Sequence, residues 1–269
     1  MNMNRKFIFF VSVGLALLCN STHAQVTFGG EPQRWSIKDL PGVIPFVETE
    51  TPNMNQIQME DATTDMDKSA PYRFGIEYNV NYSPENSGTW IYDDVNDMAT
   101  WFLGVRCAGA KSINFIFNSF HLVKGAEMFI WSGSRDEFIG KITEKNNSEA
   151  NVLGTTLIHD DEAIIELSVP ISRMHEVQLA LGTIVHGYRT VLSSHLSDDL
   201  AQRGPYGTSG NCNNNVNCAV GADWQIEKKS VGLILDGGFA SCTGALVNNT
   251  ANDGTPYFLT ANHCYAANV

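Results

Sequence analysis

The chain is predicted to be all-β. Between about Tyr72 and Val191 it breaks into short runs rich in β-branched and aromatic residues, divided by Gly, Asn, Asp and Pro. Two of these runs alternate apolar and polar residues, Ser112-Ile-Asn-Phe-Ile-Phe-Asn-Ser-Phe120 and Glu127-Met-Phe-Ile-Trp131. Such alternation suits a strand with one buried face. No stretch in this region sustains a helical period. Many short strands at close spacing predict a β-sandwich, jelly-roll-like, over residues 71–192. Two further apolar runs near the end of the sequence, Ala245 to Val247 and Tyr257 to Ala261, predict a hairpin.

In order, the candidate strands of the sandwich are Phe74 to Tyr82, Gly88 to Tyr92, Met98 to Val105, Ser112 to Leu122, Glu127 to Trp131, Phe138 to Ile142, Ile164 to Val169, Gln178 to Val185 and Gly187 to Leu192. Ahead of them, residues 25–70 have poor periodicity and turn polar and acidic from Glu48 to Lys68, which reads as an extended arm and linker. Arg34 and Trp35 offer an anchor for the arm on the following domain, a solvated tail being the more ordinary expectation. Residues 193–206 contain Gly204 and Pro205 and read as an exposed linker of the kind that proteases cut. Beyond it, Ser230 to Leu235, Cys242 to Val247 and Tyr257 to Ala261 are the candidate C-terminal strands, the last two joined by the turn-forming Asn248 to Gly254.

The first 24 residues carry Arg5 and Lys6, then an apolar run from Phe7 to Leu18, then Ser21-Thr-His-Ala24. This is the pattern of a secretory signal, and the apolar run is too short for a permanent membrane anchor. Leu18 before Cys19 is the wrong residue for a lipoprotein, so the expected product is secreted and soluble. A formal charge of -12 excludes nucleic acid as a partner, because its phosphates would be repelled, and offers nothing to anionic lipid. Peptides or proteins are the expected partners, and the sequence assigns no oligomeric state. No cofactor motif and no metal-ligand spacing is present among His121, His159, His175, His186 and His195. His159-Asp-Asp-Glu162 lacks the spacing and turn glycine of a calcium loop and reads as a solvated turn between strands. Cys107 reads as a small apolar residue.

The stretch with the most chemistry runs from Ser241 to Cys264. A hairpin ending in Thr260-Ala-Asn-His-Cys264 sets His263 just past a strand, where a sheet fixes its position and its ring projects into a cleft. This arrangement resembles the catalytic-histidine segment of chymotrypsin-fold serine proteases, and within that fold it is similar to the bacterial lysyl endopeptidases. The residues that carry the likeness are Gly207-Thr-Ser-Gly-Asn-Cys212, Asn217-Cys218, Cys242-Thr-Gly-Ala-Leu-Val-Asn-Asn-Thr-Ala-Asn-Asp253 and Tyr257-Phe-Leu-Thr-Ala-Asn-His-Cys264.

The resemblance implies that His263 is the general base of a His-Asp-Ser triad. It implies that residues 207–269 are the first strands of an incomplete trypsin-like β-barrel, with a Cys242 to Cys264 disulfide holding the histidine loop and a mature N-terminus near Gly207. Arg203 is the nearest basic residue for the processing cut. In that family the cysteines matching Cys212 and Cys218 pair with partners much later in the chain, so here they are expected to lack those partners, the alternative being a local Cys212 to Cys218 bond. The triad Asp and Ser of the family also come later. The 269 residues are therefore expected to be the N-terminal part of a protease precursor, inactive as they stand. The sandwich resembles the prosegments of secreted bacterial proteases, which implies that it assists folding or covers the cleft. The competing reading is a non-enzymatic exported β-sandwich with a degenerate protease remnant. Ser209 is rejected as a nucleophile because it precedes the histidine.

Overall fold

In the computed structural model the described residues are 27, 29–32, 44–67, 70–191, 216, 219–253 and 255–266. The expected signal segment, residues 1–24, and the expected linker, residues 193–206, lie outside them, as do Arg34 and Trp35. The fold is all-β, with β-strands outweighing two helices, α1 (Met54–Thr64) and α2 (His263–Ala266).

A six-stranded sheet follows the order β1 (Phe46–Glu48), β5 (Met98–Arg106), β10 (Glu162–Pro170), β7 (Glu127–Ser132), β8 (Phe138–Ile142), with β4 (Thr89–Asp93) also on β5. The central pair is long and antiparallel, running from Glu162 opposite Arg106 to Pro170 opposite Met98. A four-stranded sheet has the order β3 (Gly75–Tyr82), β11 (Gln178–Gly187), β6 (Ser112–His121), β9 (Leu153–Gly154). Alternate residues of both sheets enter one core. Trp101, Leu103, Met128, Ile130, Ile165 and Leu167 come from the first sheet, and Phe115, Phe117, Leu181 and Ile184 from the second. Each such side chain contributes about 1.5–3 kcal/mol by leaving water. The outer face of the first sheet is apolar too, where Phe102, Phe129, Trp131 and Ile164 are covered by Ile44 and Phe46 from the arm.

The arm differs from the extended segment expected. Residues Met54–Thr64 form α1, whose N-cap Asn53 side chain accepts the Gln56 amide at 3.3 Å. The helix buries Ile57 and Asp61 and is held by charge more than by apolar area. Arg73 donates through Nε to Asp61 Oδ1 at 2.9 Å and through Nη1 to Glu60 at 3.0 Å, and Arg189 donates to Asp65 at 2.6 Å. The strand expected over Gly187 to Leu192 also differs: Gly187 ends β11 and Leu192 lies outside the described residues, while the amides of Tyr188 and Arg189 turn back to the Phe74 carbonyl, so residues 188–191 form no strand.

A third sheet contains β12 (Val231–Asp236), β13 (Phe239–Val247) and β14 (Tyr257–Leu259), with β2 (Tyr72–Arg73) as its fourth member. Along one edge β13 pairs with β12; along the other, β2 takes Phe239 and Ala240 while β14 takes Ala245 to Val247. The C-terminal hairpin is therefore joined to the N-terminal part of the chain by a strand pair, β13 with β2.

Candidate active site

The hairpin of β13 and β14 sets the site. Leu246 lies opposite Phe258 and Val247 opposite Tyr257, so the turn at residues 248–256 is fixed by strand register. Within it the Asp253 carboxylate accepts Asn249 Nδ2 at 2.7 Å and the Thr255 amide at 3.0 Å. The Thr255 hydroxyl, its amide and the Asn249 side chain hold this carboxyl down at about 2. Thr260, just beyond β14, donates its hydroxyl to the Thr243 carbonyl at 2.8 Å, which fastens the outgoing chain to β13.

Three residues further, His263 opens the short helix α2, and the Cys264 amide donates to the Ala261 carbonyl at 3.0 Å. Cys264 is bonded to Cys242 on β13, with Cα atoms 5.9 Å apart. The His263 ring reaches within 4.8 Å of the two sulfurs and is exposed to solvent. The sulfurs are spent on each other, so this trio is not a metal-ligand set. A strand, a side-chain hydroxyl and a disulfide thus converge to hold one exposed imidazole in place, which suits a proton acceptor that must meet an incoming group. Among the described residues no carboxylate or serine hydroxyl is hydrogen-bonded to His263.

The structure brings together three predicted residues, His263, Cys242 and Cys264. Cys212, Cys218, Arg203, Gly207 and Ser209 lie outside the described residues. Cys107 is a free thiol with no solvent exposure, and burial pushes it up to about 11, as expected of an inert apolar residue. Of the other histidines, His195 lies outside the described residues, and His121, His159, His175 and His186 sit at separate places in the fold. His159 Nδ1 lies 3.0 Å from Glu137, and His186 is buried, which pushes its pKa down. Asp160 is held low: burial works against its charge, but the Ser134 amide and hydroxyl, at 2.9 and 2.8 Å, outweigh it. These bonds make the 159–162 segment a turn tied to the β7–β8 loop.

Apolar side chains around the hairpin stay exposed, including Tyr257, Phe258, Leu259 and Val247. Among the described residues β14 pairs on one side only. No helix among them is long and apolar enough to cross a membrane.

Residues 206–269 match the family described as lysyl endopeptidase, C-terminal domain. The match begins one residue before Gly207 and takes in the whole hairpin and His263. It supports a lysyl endopeptidase-like protease and covers about the last quarter of the chain.

Proposed function

From that family match and the fixed histidine, we propose that the chain is the precursor part of an exported serine endopeptidase of the lysyl endopeptidase type. The observation that carries the reading is the exposed His263 ring, fastened at the end of a hairpin by the Cys242–Cys264 bond. In this role His263 takes the proton from a serine hydroxyl as it attacks a peptide carbonyl, then gives it to the leaving amine. An orienting aspartate, the serine and oxyanion donors are needed as well, and the 269 residues are proposed to be inactive without them. Residues 1–24 would direct export. Residues 71–192, which carry the two N-terminal sheets apart from β1, would be the prosegment, severed by a cut after Arg203 that leaves Gly207 near the new N-terminus.

Fluorophosphonate labelling of the product secreted by the source cell tests this. A labelled species containing peptides from 207–269, lost when His263→Ala is introduced, is the expected result, together with cleavage after lysine. A product with those peptides, folded and unlabelled, would overturn it. One observation favours a second reading, a non-enzymatic exported binding protein: the main core draws only on residues between Val47 and Ile184 and is complete without the hairpin.

A further inference from the structure

We propose that the turn at Gly237 and Gly238 and the sheet edge at Phe74 to Glu77 form a docking pair, which keeps the N-terminal sheets and the protease-like hairpin associated after the chain between them is cut. The contact is dense. The Gly238 carbonyl accepts the amides of Phe74 at 2.8 Å and Gly75 at 3.0 Å, and the Gly238 amide donates to Glu77 Oε1 at 3.1 Å. On either side, Phe239 pairs with Arg73 and Ala240 with Tyr72 as antiparallel strands. Beneath the turn, Leu235 and Ala240 pack on Phe74, Leu157 and Val185, an apolar cluster separate from the main core.

The glycines report what the turn is built for. Gly237 takes φ 54°, which the hairpin itself demands of a two-residue turn. Gly238 does not have a positive φ, so the turn alone would accept a side chain there. A Cβ at Gly238 would instead run into the Gly75 carbonyl, with the Gly75 carbonyl carbon 2.7 Å away. The missing side chain is required by the neighbour across the contact. Both glycines are buried although they sit at a hairpin tip, which is where a lone hairpin is most exposed.

The receiving edge is held ready independently of the turn. Asp61 and Glu60 on α1 bind Arg73, while the Arg189 guanidinium lies 4.3 Å from the Tyr72 ring centroid and donates to the Arg73 carbonyl. The arm thus acts as a strap on β2. Cys242 and Cys264 lie on the same side of the contact and Cys107 is free, so no disulfide among the described residues crosses it. The association would be carried by these bonds and the apolar cluster. It rests on the proposed protease reading only for the natural origin of the cut, and the test supplies its own.

The full chain is made with a viral-protease recognition sequence replacing residues 197–203, then cut, and the pieces are followed by gel filtration. They are expected to co-elute at micromolar concentration. Gly238→Ala is expected to raise the dissociation constant by on the order of tenfold or more, since it displaces two backbone hydrogen bonds. Glu77→Ala, which leaves the turn unstrained, should weaken the complex by a smaller factor. A mass consistent with an intact Cys242–Cys264 bond shows that the substituted hairpin still folds. Separation of the unsubstituted pieces, or a G238A complex as tight as the parent, would overturn the proposal. In the uncut chain, slow amide exchange at Phe74, Gly75 and Gly238 is expected, and exchange there as fast as in an open loop would overturn it without any cut.

Discussion

The Tyr188 hydroxyl donates to Asp61 Oδ2 at 2.7 Å, joining two residues 127 positions apart. Asp61 is nearly covered, and its other oxygen accepts Arg73. Burial and the adjacent Asp61 charge both push the Tyr188 phenol above its ordinary range, so it remains a donor at any working pH. Asp61→Ala leaves Arg73 and Tyr188 without their shared acceptor and is expected to cost about 3 kcal/mol. Tyr188→Phe removes one bond to a charged group and should cost about 1.5 kcal/mol. Denaturant unfolding measures both, and equal, negligible losses would mean that α1 is not held by this contact.

Removing the disulfide separates the stability of the two regions. A bond closing 22 positions contributes on the order of 3 kcal/mol. With Cys242→Ser and Cys264→Ser together, the histidine segment is expected to become protease-sensitive while the N-terminal sheets keep their unfolding transition. Loss of that transition as well would show that the N-terminal core depends on the hairpin.

Asp253 supplies a pH prediction. Its folded pKa, about 2, lies below the ordinary value near 3.9. A depressed carboxyl contributes its stabilisation above the unfolded value and loses it as pH falls through the folded one. The 248–256 turn should therefore keep its bonds through mildly acidic conditions and loosen only as pH approaches 2. The side-chain carboxyl carbon, followed by NMR, should titrate near 2; a midpoint near 4 would show that the turn does not hold it.

Cys107 should be silent in the native state. With its thiol raised to about 11 and shielded from solvent, alkylation at pH 8 is expected to leave it unmodified, and full modification should follow unfolding in guanidinium. Peptide mass mapping reads this directly, and rapid native modification would mean that the end of β5 opens.

The longer strands of the N-terminal sheets were legible because each buries one face or both, which leaves alternation or a solid apolar run in the sequence. Ser112–His121 and Glu127–Ser132 are of this kind. So was the end of the hairpin, where Thr260 and His263 to Cys264 follow an apolar run. Helix α1 was not legible, since it buries one apolar side chain, Ile57, and is held by acids whose partners lie elsewhere in the chain. Strands of two or three residues, such as Tyr72–Arg73, carry no period at all; their place is decided by the strand they meet. At Gly238, only the approach of Gly75 across the contact shows why the residue must be glycine.

Because β2 and β14 lie end to end along the same edge of β13, the ribosome makes the two halves of that edge at very different times. Tyr72 and Arg73 emerge early and wait. Their partner appears only after the N-terminal core residues have all been synthesised, and Gly238 follows Glu77 by 161 positions. Closing such a distant pair is slow when both ends are loose and faster when one end is already ordered as the other arrives. A β2 edge ordered first would give β13 its register from outside the hairpin, independently of its pairing with β14.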